Sequence, residues 1–234
     1  MEYLPNFKTF KTKIQKEKAY VISASLVADL DTPVSAMLRI GENEPYSFLL
    51  ESVEGGESKG RYSILGLKPD LIWRCHGNKA EINYNPSKSL NTFSSDNKPT
   101  LKSIRSLLES SKINLPEYLP PMASGLVGYL GFDTIKLVEN IPSNNPATLN
   151  LPDGMFIRPK IMIIFDAVED TMTIITPVYI KNNKVNNYEK LYKNSCNINI
   201  NYNKKSFNFS ITDIWNNMTN CDIVHELLQR SHEY

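Results

Sequence analysis

The strongest constraint in this sequence is a pair of apolar, β-rich runs set back to back. Arg158 to Ala167 and Thr171 to Tyr179 are dense in Ile, Val, Met and Thr, and only Val168-Glu169-Asp170 lies between them. Branched and aromatic residues over that length favour strands, and a short polar link between two such runs is a hairpin signal. A hairpin is marginal alone and needs further layers over its apolar face. The rest of the chain offers them. Thr32 to Ile40 and Tyr46 to Ser52 read as strands, with Glu42 to Pro45 as the turn between them. Arg61 to Leu67 reads as another, and Pro69 punctuates its end. Leu71 to Cys75 and Ala80 to Tyr84 flank His76-Gly77-Asn78-Lys79, a turn-like connection.

Helical signals are fewer. Within Pro99 to Lys112, residues Leu101, Ile104, Leu107 and Leu108 form one apolar stripe. Asp133 is a candidate N-cap for a short helix through Glu139, stopped by Pro142. Lys88 to Lys98 reads as a polar loop. The predicted fold class is α+β, with antiparallel β-sheets and flanking helices.

The balance is globular: 234 residues, 41% hydrophobic and 22% charged. That supplies a core and excludes collagen-like, coiled-coil and wholly disordered chains. Basic and acidic residues number 26 and 25, so the net charge is +1. Such a chain has no strong field for a phosphate backbone or an anionic membrane, and neither partner is expected. No apolar run approaches the ~20 residues that cross a bilayer. The Lys-rich start, Met1 to Lys18, is followed by no secretory pattern. Cys75, Cys196 and Cys221 fit no zinc or redox spacing and read as reduced thiols, so the expected location is cytoplasmic.

Residues 19–180 look like packed domain. About a third of residues 181–220 are Asn, a composition of loops and turns. Asn220 to Tyr234 carries Ile223, Leu227 and Leu228 at helical spacing, with Glu226 and Arg230 at i, i+4. The sequence stops inside that pattern, so it reads as part of a longer protein.

Several motifs fail on inspection. In Glu54-Gly-Gly-Glu-Ser-Lys-Gly60 the Ser precedes the Lys, the reverse of a phosphate loop. Gly125, Gly128 and Gly131 recur every third residue, which suits close backbone packing rather than a dinucleotide turn. His76, His225 and His232 have no ligand spacing. No catalytic residue is assigned in this chain.

The segment from Ser47 to Gly66 carries more chemistry. A strand runs into Glu51, Ser52 and Glu54, two glycines turn the chain, and Arg61-Tyr62-Ser63 begins the return. A carboxylate accepts from an ammonium; a hydroxyl, a backbone N–H or a guanidinium donates to a carboxylate. The rim therefore suits a zwitterion with an apolar side chain, although spacing alone also fits an ordinary polar hairpin end.

Leu49-Leu50-Glu51-Ser52 resembles the "LLES" region of anthranilate synthase component I, the large chorismate-using subunit of tryptophan biosynthesis. Gly60-Arg-Tyr-Ser-Ile-Leu-Gly66 resembles the family's "GRYSFIG", and Gly125-Leu-Val-Gly-Tyr-Leu-Gly-Phe-Asp133 its "GGLVGYLGYD". Leu151-Pro-Asp153, Arg158-Pro159 and Phe165-Asp166-Ala167 resemble the segment that closes its N-terminal region. Aminodeoxychorismate synthase component I shares the Gly-Arg-Tyr-Ser pattern but usually has Asp-Ser where this chain has Glu51-Ser52.

The resemblance implies four parts: an N-terminal segment over 1–19, a regulatory domain over 20–180, an Asn-rich linker over 181–219, and the first helix of a chorismate-binding catalytic domain over 220–234. It implies an L-tryptophan feedback site at Ser52, Glu51, Leu50, Arg61 and Tyr62. It implies a lyase converting chorismate and glutamine-derived ammonia to anthranilate and pyruvate, with a glutamine amidotransferase subunit as partner. Mg2+ belongs to the full-length enzyme, with ligands in the C-terminal half. This chain is expected to bind no metal and to be inactive alone. The alternatives are the N-terminal part of the aminodeoxychorismate enzyme and a stand-alone amino-acid-binding module.

Overall fold

The computed structural model describes residues 3–28, 31–51, 60–142, 151–180, 185–202 and 205–210. The chain divides into two compact units, Met1–Leu67 with Ile161–Tyr234, and Lys68–Lys160. Both are mixed α and antiparallel β, in agreement with the predicted class.

In the first unit, β1 (Ala19–Val27) runs antiparallel to β8 (Thr171–Tyr179), in register from Ala19↔Tyr179 to Val27↔Thr171. β7 (Gly154–Asp166) and β8 form the hairpin read from the sequence, with Met162↔Ile175 and Asp166↔Thr171 as partners. β2 (Phe48–Leu50) pairs with the start of β3 (Tyr62–His76). The inward residues Leu65, Leu67, Ile161, Ile163, Met172 and Ile174 form one buried cluster with Ala36 and Ile40.

Ala36 and Ile40 correct the sequence reading. Thr32 to Ile40 is not a strand: α2 spans Pro33–Ala36 and continues as a wider turn over Met37–Gly41. Thr32 and Ser35 form a reciprocal capping box at 3.1 and 3.0 Å, and Pro33 sits where its missing N–H costs nothing. Local capping outweighs the β-leaning residues Val34 and Ile40. α1 (Phe7–Glu17) was hidden in the Lys-rich start. Asn6 caps it by accepting from the Thr9 N–H at 3.0 Å, and its buried pair Phe10 and Ile14 lies one turn apart. The pair packs with Tyr20, Ile22, Val178 and Tyr192 of α4 (Tyr188–Cys196). β9 (Asn197–Tyr202) and β10 (Lys205–Ser210) form a separate ladder, so part of the Asn-rich stretch is regular structure. The helix expected over 220–234 lies outside the described residues.

In the second unit, β3 does not end before Pro69. Lys68 takes a left-handed φ of 49° and the strand resumes through His76, a local irregularity of the kind that admits proline. β4 (Lys79–Asn83) returns from the turn at Gly77-Asn78 in the predicted hairpin, and β5 (Ser94–Pro99) adds a strand where a loop was expected. α3 (Thr100–Ser110) matches its stripe, burying Ile104 and Leu107 against Trp73 and Ile82. The Trp73 indole N–H donates to Ser103 at 2.9 Å, and the Ser103 hydroxyl donates to Asp96 at 2.7 Å. β6 (Val127–Leu130) pairs with the start of β7, and a 3-10 turn follows over Phe132–Leu137. Gly131, not Asp133, precedes that turn as its cap; Asp133 lies inside it, ion-paired with Lys136.

Candidate functional site

The predicted site starts at β2, and the strand's alternation sorts its residues. Phe48 lies directly over Gly66, its register partner, and a Cβ at Gly66 would collide with the Phe48 ring. Leu49 packs on the buried cluster with Ile40 and Leu65. Leu50 takes the opposite face and is 50% exposed. The strand ends there, and Glu51, beyond it, is exposed. Ser52, the central residue of the sequence prediction, lies outside the described residues, as do Glu54, Gly55 and Gly56.

The return limb begins at Gly60, whose φ of 85° favours glycine, and this gives the Gly-Arg-Tyr-Ser motif its first position. The Arg61 carbonyl accepts from the Ala167 N–H at 2.9 Å. Its guanidinium grips Asp166 as a fork: Nε reaches Oδ1 at 2.8 Å, and Nη2 reaches Oδ2 at 2.6 Å. Glu169 stands 3.6 Å from the same Nη2. Asp166 also accepts from the Val168 and Glu169 N–H groups at 3.0 and 3.3 Å, so it fixes both the arginine and the β7–β8 turn. The Arg61 hydrogen bond holds the Asp166 carboxyl below the usual carboxylate range, against a smaller opposing effect of burial. The same bond raises Arg61 further. The guanidinium carbon lies 5.1 Å from the Tyr62 ring centroid, within cation–π range.

This arrangement brings Leu50, Glu51, Arg61 and Tyr62 to the two strands that flank the 51–61 connection. It also commits Nε and Nη2 of Arg61 to Asp166. A ligand carboxylate reaching that fork would share it with one carboxylate at contact distance and another at 3.6 Å. Arg61 therefore orients the return limb. Sequence reasoning assigned no role to Asp166 or Glu169. One signal was available: an Asp two residues before a backbone N–H at a hairpin bend commonly accepts from it.

Other candidate chemistry is quiet. Burial pushes the Cys75 and Cys196 thiols up to about 11, which disfavours the nucleophilic thiolate. Among the described residues no group of three or more His, Cys, Asp or Glu could hold a metal ion. No helix among the described residues is long and apolar enough to cross a membrane. A shallow pocket of about 420 Å³ is lined by Tyr179, Ile180, Val185 and Leu191 with Asn186 and Lys190, and none of the predicted site residues lines it.

The comparisons with known proteins name the same family as the motifs. No family model matches the chain. An anthranilate synthase component 1 of Cereibacter sphaeroides is 42% identical over 177 residues, 76% of this chain and 35% of that protein. The Synechocystis protein of that name is 34% identical over 82% of this chain and 37% of its own length. That of Acetivibrio thermocellus is 28% identical over 90% and 44%. A crystal structure of anthranilate synthase component I from Streptococcus pneumoniae aligns with a TM-score of 0.44 at 20% identity, covering 73% of this chain and 34% of that one. The chain is an α+β homologue of an amino-acid biosynthetic enzyme. It belongs to the anthranilate synthase component I family, corresponds to the N-terminal region, and spans well under half the length of these relatives.

Proposed function

We propose that this chain is the tryptophan-sensing region of an anthranilate synthase component I. The assembled enzyme would convert chorismate and glutamine-derived ammonia to anthranilate and pyruvate, with a glutamine amidotransferase subunit supplying the ammonia. The observation that carries this reading is the 42% identity over 76% of the chain, together with four motif blocks in family order. The relatives' names favour the anthranilate branch over the aminodeoxychorismate branch.

In this reading Leu50 offers an apolar wall for an indole, Glu51 accepts from the ammonium, and Ser52 donates to the carboxylate. Tyr62 borders the site. Arg61, held by Asp166, sets the direction of the return limb and leaves most of the carboxylate binding to Ser52 and backbone N–H groups. A buried zwitterion needs both charges paired, and one charge-assisted hydrogen bond is worth about 1.5–3 kcal/mol. That corresponds to roughly ten- to a hundred-fold in affinity.

The test is a tryptophan titration of the chain by calorimetry, repeated as an inhibition curve in an assembled enzyme carrying it. Ser52→Phe should abolish the tryptophan response while melting temperature and uninhibited turnover hold. An unchanged inhibition constant in the folded variant refutes the assignment. Alone, with chorismate, magnesium and ammonium salt, the chain should produce no anthranilate fluorescence above buffer. Saturable turnover there would overturn the regulatory reading.

A further inference from the structure

The approach to β2 is held by a buried ion pair that serves stability poorly. Arg39 Nη1 lies 2.6 Å from Asp31 Oδ1, and the side chains are 17% and 0% exposed. The other carboxylate oxygen of Asp31, Oδ2, is buried without a hydrogen-bond partner among the described residues. A buried ion pair recovers its desolvation cost only when its remaining polar atoms are also bonded, and well-packed apolar residues in its place are often as stable or more so. Asp31 and Arg39 fall short of that condition by one oxygen. What the pair supplies is direction, because it ties two backbone segments together at a fixed distance.

One of those segments leads to the candidate site. Arg39 lies in the π turn over Met37–Gly41. Such turns are rare and recur at functional sites. At the end of the turn the Gly41 carbonyl accepts twice, from the Glu44 N–H at 3.1 Å and from the Ser47 hydroxyl at 2.7 Å. Between those two donors Tyr46 takes a left-handed φ of 59°. A non-glycine residue keeps that strained conformation only where its surroundings impose it, and such strain gathers at ligand clamps and switches. β2 starts at the residue after Ser47 and ends three residues later at Leu50. So short a strand is held by its three pairings with β3 and by Leu49 on the cluster that includes Ile40. The Ser47 hydroxyl fixes its leading end, and Glu51 leaves its trailing end.

We propose that Asp31, Arg39 and Ser47 are positioning residues for the effector site, holding β2 where Leu50 and Glu51 meet the ligand without touching the ligand themselves. The inference rests on the tryptophan-sensing reading and adds the residues that set its affinity from a distance. For a ligand that binds only the docked strand, the apparent Kd rises in inverse proportion to the docked fraction. A limb docked in a tenth of the molecules therefore binds tryptophan about ten-fold more weakly.

The experiment measures tryptophan inhibition, melting temperature and amide exchange in an assembled enzyme carrying this chain. The first variant replaces the buried pair with apolar residues, Asp31→Leu together with Arg39→Met. Its melting temperature should hold or rise. Its inhibition constant for tryptophan should rise about ten-fold, with uninhibited turnover unchanged. Ser47→Ala should weaken inhibition in the same direction and speed exchange of the β2 amides, and Ser47→Thr, which keeps the hydroxyl, should restore both. Saturating tryptophan should return β2 exchange in each variant to the wild-type rate, because the ligand selects the docked strand. A merely structural role would move the melting temperature and leave the inhibition constant alone. An unchanged inhibition constant in folded Ser47→Ala overturns the proposal, as does weakened inhibition with β2 exchange unaltered. A double variant that melts well below wild type assigns the ion pair to the core and overturns its positioning role. A wild type that ignores tryptophan removes the sensing reading and this inference with it. A wild type that responds, with variants that respond equally, overturns this inference alone.

Discussion

Two arginine forks join the β3 and β7 limbs, one in each unit, and they differ in a telling way. In the first unit the arginine, Arg61, precedes β3 and the carboxylate, Asp166, ends β7. In the second the polarity is reversed: Arg158 on β7 grips Asp70 on β3 at 2.7 and 2.8 Å, and its third nitrogen donates to Ser111 at 3.2 Å. The Arg61 side chain is 31% exposed and that of Arg158 only 8%. The same planar fork thus does two jobs. Buried and given a third partner, it is part of the fold. Half-open beside a bend and a connection, it aims a rim.

The comparison makes an unequal pair of mutations its first test. Asp70→Ala leaves Arg158 buried without its carboxylate and should cost about 3 kcal/mol or more. Asp166→Ala should cost much less, because water reaches its partner. Urea denaturation of both variants measures the difference, and equal midpoints would break the distinction between the forks.

A second contrast concerns glycines. A Cβ at Gly128 would run into the Met155 carbonyl oxygen, so the β6 and β7 backbones must part. Gly128→Ala should cost about 3 kcal/mol, at the upper end for overpacking, and speed amide exchange along β6. At Gly66 the obstacle is the Phe48 ring, which can swing aside, and Gly66→Ala should cost about 1 kcal/mol.

A pH series sharpens the exposed fork further. Asp166 has its pKa lowered in the folded state, chiefly by Arg61. Its stabilisation is present above the unfolded carboxylate value and is lost as pH falls through the lowered folded one. Asp166→Asn should therefore melt about 2–4 °C below wild type at neutral pH. That gap should close in acid, below roughly pH 4. A gap that persists at pH 2 would show that shape, not charge, matters at this position.

The smallest effect falls equally on both units. Cys75 and Cys196 are each raised from 9.0 to about 11 by burial. A raised thiol stabilises the fold fully below the unfolded value, and that contribution fades as pH climbs through the folded one. Thermal melts from pH 8 to 11 should decline gently, and Cys75→Ala and Cys196→Ala should each flatten the slope.

Much of this was legible in the chain, for local reasons. The β7–β8 hairpin, α3 and the turn at Gly77 follow from periodicity and turn chemistry, which act over a few residues. Thr32 to Ile40 misled because composition favoured a strand while the Thr32–Ser35 capping box favoured a helix. α1 escaped because Phe10 and Ile14 sit among lysines. Pro69 read as a terminus because a left-handed Lys68, which lets the strand resume, leaves no mark in sequence. At the candidate site, Leu50, Glu51, Arg61 and Tyr62 stand out as a motif, but Asp166 is 105 residues from its arginine. Only the folded topology brings them together.

The anchoring of the 51–61 connection has a consequence for how such a site changes over time. Its two ends are fixed by the Phe48–Gly66 and Leu50–Ile64 pairs on one side and the Arg61–Asp166 fork on the other. Closing a loop between fixed ends depends only weakly on its length, about 0.6 kcal/mol for each doubling. The closure cost of insertions and deletions between Glu51 and Arg61 is therefore small. A lineage can lengthen, shorten or rewrite that stretch while the strands on either side keep their register.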